Sequence, residues 1–305
     1  MGLMIFLCVL LCVLASTPTS NGWGPEGHYI VCKIAESYLT SNARKAVREL
    51  LPKDAIDLAS VCSWPDEIRK QQKWSTMLHF VDTPGVCNFD YNRDCHSNGV
   101  KDFCVVAAIK NYTEQLETYQ HSPTYNLTEA LMFLSHFVGD IHQPLHCGFV
   151  ADSGGNTILV NWYDVKTTLH KVWDDNMVQK KMNDSFYGDL ITMAKELKMK
   201  IDSQDYYAQK VNEWRACGND AFACAKEFAS ESIELACSLA YKDVYQYCTL
   251  GDYYFTTRIS TVEERIMQAA IRLASLLNKI FSNIKEGNSP KISQILRSVS
   301  KSVDK

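Results

Sequence analysis

The chain has 305 residues, 46% of them hydrophobic and 22% charged, with a formal net charge of −4. That length allows one large domain or two smaller ones, and the modest acidity excludes a basic surface that would recruit polyanions unaided. After the first fifteen residues no run is long and apolar enough to span a membrane, so no stable membrane anchor is expected.

The opening Met1-Gly-Leu-Met-Ile-Phe-Leu-Cys-Val-Leu-Leu-Cys-Val-Leu-Ala15 is apolar and is followed by small and polar residues from Ser16 to Gly22. It reads as a secretory signal, without the usual basic start, cut between Gly22 and Trp23. Residues 1–22 are therefore assigned to the signal, 23–288 to one domain and 289–305 to a polar, basic C-terminal extension. Removing the signal takes away Cys8 and Cys12 of the 12 cysteines and leaves an even number in an oxidising compartment, where disulfides are expected. Three glycosylation sequons, at Asn111, Asn126 and Asn183, agree with a secreted product or one held in the lumen of the secretory or lysosomal pathway.

In chain order, the spacing of Ile30, Val31, Ile34, Ala35, Tyr38 and Leu39 predicts a helix from His28 to Leu39. Ser41 can cap a second helix that runs to Leu51 and stops before Pro52. After Asp57–Lys73, Met77 to Pro84 alternates and reads as a short extended segment, and Gly85–Gly99 as a disulfide-held loop. Val100–Tyr119 is predicted helical, and a central helix starts at Asn126, with Glu129 completing a capping box. Asp152-Ser-Gly-Gly-Asn156 is a turn signal before alternating Ile158, Val160 and Trp162, which predicts a small hairpin within Gly148–Tyr163. Helices follow over Thr168–Met182, Phe186–Ile201, Ser203–Trp214, Ala221–Gln246 and Ser260–Phe281, the last with Thr261 and Glu264 as its capping box. The fold class is thus all-α, a single helical domain with a small β-hairpin.

The chemistry concentrates in Leu134-Ser-His136-Phe-Val-Gly-Asp140-Ile-His142-Gln-Pro-Leu-His146. His136 and Asp140 are four apart, so a helix projects both from one face. Pro144 stops that helix, and His146 can then return to the same neighbourhood. His170 and Asp174 repeat the device. One such pair alone is usually a surface contact, whereas two pairs and a further histidine read as a multi-zinc site. His142 lies off the ligand face and is read as structural.

Together with W-G-x-x-G-H at Trp23–His28, W-x-D-x-x-R at Trp64–Arg69, H-F-x-D at His79–Asp82, G-G-N at Gly154–Asn156 and L-H-x-V-W-D at Leu169–Asp174, this segment resembles the type I single-strand-specific nucleases of fungi and plants. These are secreted trinuclear zinc enzymes whose helical fold is shared with bacterial zinc phospholipase C. The resemblance runs from Trp23 to the last long helix. It implies three Zn2+ ions. One would be held by Asp66, His79, His136 and Asp140; a second by Asp140, His28 and the freed amine and carbonyl of Trp23; the third by His146, His170 and Asp174. His96, His121 and His142 stay unassigned. Asp66 and Arg69 would be catalytic, Arg69 by stabilising charge on the phosphoryl oxygens. Phe80, Asp82, Asn156 and Tyr163 would bind substrate, with core packing the competing reading of Phe80. Three doubly charged ions against three ligand aspartates leave a local positive surplus that attracts a phosphodiester despite the acidic chain.

The implied substrates are single-stranded DNA and RNA and 3′-nucleotides, cut to 5′-phosphate products by a monomer. Two competing functions are a zinc phospholipase C acting on phospholipid headgroups and a non-catalytic glycoprotein that keeps zinc for stability. Trp64-Pro65-Asp66 stands where the family has Trp-Ala-Asp, which puts the backbone near Asp66 in question. Asp175 adds a charge beside Asp174 that Lys171 can offset. Among the cysteines the resemblance implies the pairs Cys32–Cys62, Cys87–Cys237, Cys95–Cys104 and Cys217–Cys224. Cys147 and Cys248 are extra to that pattern and are expected to pair with each other.

Overall fold

The helix that carries His136 and Asp140 is buried without interruption from Ala130 to Asp140, as expected of a helix apolar on every side. It is the centre of the computed structural model, which describes residues 22–282 apart from 98, 122–123, 204 and 217–219. Residues 1–21 of the expected signal, the expected C-terminal extension and Cys217 lie outside the described residues.

The helices are α1 (Pro25–Ser37), α2 (Ser41–Leu50), α3 (Trp64–Ile68), α4 (Tyr91–Asp94), α5 (Val105–Glu117), α6 (Leu127–Asp140), α7 (Leu169–Lys171), α8 (Met177–Phe186), α9 (Leu190–Ser203), α10 (Asp205–Arg215), α11 (Ala221–Leu235) and α12 (Asp252–Ile280). Around α6 pack α1, α2, α3, α5 and α12, while α11 closes over α5 and the turn after α6. Short strands β1 (His96–Ser97) and β2 (Val100–Lys101) form one antiparallel ladder. β3 (Leu159–Trp162), β4 (Val165–Thr168) and β5 (Thr249–Leu250) form a second sheet in the order β4-β3-β5, with β3–β4 antiparallel and β3–β5 parallel. No helix among the described residues is long and apolar enough to cross a membrane.

Local chemistry explains most boundaries. Pro25 opens α1 at a position where its missing N–H costs nothing. The Asn126 side chain accepts the Glu129 N–H and caps α6, worth about 1 kcal/mol. Pro65 sits in the first turn of α3, so the Trp-Pro-Asp departure is accommodated without disturbing Asp66. Thr40 rather than Ser41 caps α2.

Other expectations are corrected. Lys73–His79 is a 3-10 helix. Only the residues after it run extended, held by Val81 N–H to His146 O (2.8 Å) and Thr83 N–H to Gly148 O (2.8 Å). The hairpin is displaced: its strands are Leu159–Trp162 and Val165–Thr168, and Asp152–Asn156 instead forms a loop whose Asp152 carboxylate accepts the Gly155 N–H (2.6 Å). α12 begins eight residues before Ser260, so Thr261 and Glu264 cap nothing. α11 ends at Leu235 in a π-turn, Ala236–Ala240, rather than continuing to Gln246.

Cys32–Cys62, Cys87–Cys237 and Cys95–Cys104 are bonded, and Cys224 is also in a disulfide. Cys147 and Cys248 are not joined; both are buried free thiols. The Cys147 thiol interacts with Ser232 and Arg265, whereas Cys248 influences Tyr254. The mature protein is expected to react with two equivalents of a thiol reagent once unfolded without reductant, and with essentially none while folded, as peptide mapping would show.

Candidate metal centre

Three groups of side chains converge where the ends of α1, α3 and α6 meet the turns carrying His79, His146 and His170. They are His28, His136 and Asp140; Asp66, His79 and His136; and His146, His170 and Asp174, with the ligand atoms of each group within 4.8 Å of one another. Asp140 joins the first two. Its Oδ1 lies 3.2 Å from His28 Nε2, and its Oδ2 lies 3.0 Å from His79 Nδ1 and 3.1 Å from His136 Nε2. His170 Nε2 is 3.2 Å from Asp174 Oδ2, across a π-turn over Val172–Asn176 that follows α7 directly. A π-turn in a helix frequently marks a functional position.

The imidazoles are held in the orientation that metal ligation needs. Nδ1 of His136 bonds the Cys62 carbonyl (2.8 Å), that of His146 the His79 carbonyl (2.7 Å) and that of His170 the Gly154 carbonyl (2.6 Å). A carbonyl can only accept, so each ring carries a proton on Nδ1 and turns Nε2 inward, the atom that a neutral ring offers to a metal. Buried atoms with no hydrogen-bond partner include His28 Nε2, Asp66 Oδ1 and Asp140 Oδ1. Buried polar atoms are normally satisfied, so orphans aimed into one space fit a set of cations.

Burial first, then the neighbouring His136, pushes His28 down to about 4. Burial pushes His79 down to about 3, leaving both rings neutral at ordinary pH. Burial opposes charge on Asp140 as well, but His136 and hydrogen bonds from His136, His28 and His79 hold its carboxyl well below the usual range. Burial raises Asp66 to about 6 and Asp174 well above its ordinary value. Crowded carboxyls of this kind are what a bound cation would relieve.

Two close approaches shape the centre. A Cβ on Gly139 would lie 2.8 Å from His28 Nδ1, so glycine lets that ring lie flat on α6. A Cβ on Gly22 would lie 1.5 Å from Asp140 Oδ1, with His28 Nε2 2.9 Å away. The residue before Trp23 therefore runs through the gap between these two ligands. Trp23 is fully buried, and Gly24 N–H bonds the Asp174 carbonyl (2.9 Å), fixing the segment around Trp23 to the third group.

Of the other sequence-predicted residues, Arg69 is buried with Nη1 3.7 Å from Asp66 Oδ1. Phe80 is half-buried. The Asp82 carboxyl lies near the Asp152–Asn156 loop and is pushed up to about 8, by burial first and by Asp152 second. Asn156 is buried, its Nδ2 bonding the Ser153 carbonyl (2.8 Å) within that loop. Tyr163 is not drawn into the cluster: its hydroxyl bonds Asp252 (2.6 Å) and Lys180 covers its ring. Lys171 does pair with Asp175, at 2.7 Å. Asn111, Asn126 and Asn183 are all exposed.

Sequence reasoning missed the supports behind the ligands. His142 Nδ1 bonds the Val138 carbonyl and its Nε2 accepts from Arg272 (2.9 Å). Arg265 donates to the His142 carbonyl (3.1 Å), and both arginines pair with Glu231. Guanidinium groups under the carbonyl end of α6 also complement its dipole. The only signal was the unassigned His142 together with Gln268 and Arg272 on α12.

The sequence profile described as S1/P1 nuclease matches residues 23–282. "Endonuclease 3" of Arabidopsis thaliana is 49% identical over 284 residues, covering 90% of this chain and 95% of its own. "Nuclease P1" of Penicillium citrinum is 36% identical over 270 residues, covering 85% of this chain and 97% of its own. A solved structure, "Alpha Toxin from Clostridium Absonum", has a TM-score of 0.40 at 10% identity, over 90% of this chain and 67% of that one. With a match that starts at the buried Trp23 and takes in every residue of the three groups, the chain belongs to the S1/P1 nuclease family.

Proposed function

We propose that the protein is a secreted, monomeric endonuclease that binds three zinc ions at these groups and hydrolyses single-stranded DNA and RNA to 5′-phosphate products, with 3′-nucleotidase activity. The observation that carries this reading is the convergence of the three His/Asp groups, two of them sharing His136 and linked through Asp140. Zinc at these positions would activate water for in-line attack on phosphorus and offset charge on the departing 3′ oxygen.

The chain's own residues supply the rest. Arg69, buried beside Asp66, offers a fixed, always-charged guanidinium to the phosphoryl oxygens. Phe80 does not join the buried core, which favours base stacking over packing, worth about 1–3 kcal/mol per base. Asp82, raised to about 8, keeps a proton near neutrality and can both donate to and accept from a base edge. Asn156 and Tyr163 would flank the substrate further out. A base must leave its stack to use such a platform, which favours single strands. Exposure of the three sequon asparagines is compatible with glycosylation.

The test is elemental analysis of the secreted, N-terminally sequenced protein, alongside assays on single-stranded oligonucleotides, duplex plasmid and phosphatidylcholine. Three zinc ions per chain, a Trp23 start and loss of cutting on chelation, restored by zinc, are expected. Cutting that survives full removal of metal would overturn the proposal. Hydrolysis of phosphatidylcholine with none of oligonucleotides would replace it with a phospholipase.

A further inference from the structure

Gln143 stands between ligand residues but is not itself in any of the three groups. It is fully buried in the turn linking Asp140 to His146, and its backbone N–H bonds the Asp140 carbonyl (2.9 Å). The Oε1 atom accepts the Leu145 N–H (2.6 Å), and Nε2 donates to Asp174 Oδ1 (2.5 Å). The amide orientation follows from its partners: a backbone N–H can only donate, so the oxygen must face Leu145 and the NH2 must face Asp174. Pro144 restricts the Gln143 backbone to extended geometry, and the observed φ −81°, ψ 117° complies.

One carboxamide thereby joins three pieces of chain that are distant in sequence or run in different directions. The end of α6 presents Asp140. The 3-10 turn Pro144–Cys147 presents His146. The π-turn presents Asp174, whose Oδ1 is held by Gln143 while Oδ2 faces His170 Nε2 at 3.2 Å. Fixing one carboxylate oxygen sets the plane of the group and leaves the other directed at the partner imidazole. Supports of this kind typically change metal affinity 10–100-fold when removed.

We infer that Gln143 is a positioning residue that sets cation occupancy at the His146–His170–Asp174 subsite, by orienting Asp174 and latching the turn that carries His146. The inference rests on reading those three residues as a cation subsite. It makes the His146–Asp174 pair, 3.9 Å apart, depend on a side chain that never touches the ion.

The experiment measures zinc content and zinc affinity in metal-buffered solution for the mature wild-type protein, Gln143→Met and Gln143→Glu. Methionine keeps the length and removes both hydrogen bonds. Glutamate keeps the acceptor for Leu145 and changes only the atom facing Asp174. Both variants are expected to bind two zinc ions as wild type does and to hold the third about 10–100-fold more weakly. Excess zinc should restore occupancy and kcat, which it would not do for a folding defect. On an Asp174→Asn background, Gln143→Met should weaken zinc binding by less than it does alone, because only the Leu145 latch remains to be lost. Three tightly held ions in Gln143→Glu would overturn the inference, even if Gln143→Met did not fold. Equal loss of all three ions would also overturn it, by making Gln143 a general support. A wild-type protein with fewer than three ions would instead sink the three-cation reading, and this inference with it.

Discussion

On the proposed three-zinc reading, replacing Asp140 by asparagine is expected to leave a folded protein that binds one zinc ion instead of three and cuts single strands about a thousandfold or more slowly, the loss that follows when several kcal/mol of transition-state stabilisation is removed. Asp140 lies close to three imidazoles at once, His28 at 3.2 Å, His79 at 3.0 Å and His136 at 3.1 Å, with His146 a little further away at 3.8 Å. An amide keeps the shape and removes the charge that opposes two adjacent dications. Its NH2 group would also point a donor at nitrogens that should be free to ligate. The fold itself should survive, because α6 is held by Asn126 at one end and by the His142–Arg272–Glu231 network at the other. Zinc content, far-ultraviolet circular dichroism and kcat on an oligonucleotide together check this. Full zinc content with wild-type turnover would mean that Asp140 bridges nothing.

The second large effect concerns the start of the chain. A protein that keeps Gly22 and further residues ahead of Trp23 is expected to be folded, to lack the ion between His28 and Asp140, and to have activity reduced by about two orders of magnitude or more. Gly22 fills the gap between those two side chains, and an amide nitrogen at Trp23 is a far poorer ligand than a free amine. A cleavable tag that ends immediately before Trp23 gives the comparison within one preparation: zinc content and rate are measured before and after proteolysis. A rise in both on cleavage supports the assignment. Equal activity in the uncut form would remove the α-amine from the ligand set.

The two helical pairs of the proposed site were legible through a local rule, whereas His28, Asp66 and His79 came only from the resemblance to a family. His136 with Asp140, and His170 with Asp174, are one helical turn apart, and the Asn126 cap and Pro144 stop bracket the helix that displays the first pair. What escaped detection depends on distant partners or on backbone geometry without a composition cue. Gln143 meets Asp174 across 31 residues, and Arg272 meets His142 across 130. The two π-turns carry no propensity signal of their own. The Gly154–Gly155 pair suggested a hairpin turn, but both have positive φ in a loop that instead delivers the Gly154 carbonyl to His170. The true hairpin turns at Tyr163, a residue rarely found at φ +51°. Thr261 and Glu264 mimic a helix start inside α12, whose beginning at Asp252 follows Gly251 with no side-chain cap.

The Cys32–Cys62 bridge ties the helix bearing His28 to the carbonyl that aims His136. Cation capture is thereby coupled to thiol oxidation. A chain in a reducing environment would hold those two imidazoles less firmly, with Gly22 beside the neighbouring gap. On the proposed reading of a secreted enzyme, two separate locks, one opened by oxidation and one by proteolysis, would both have to release before the cell's own messenger RNA was at risk.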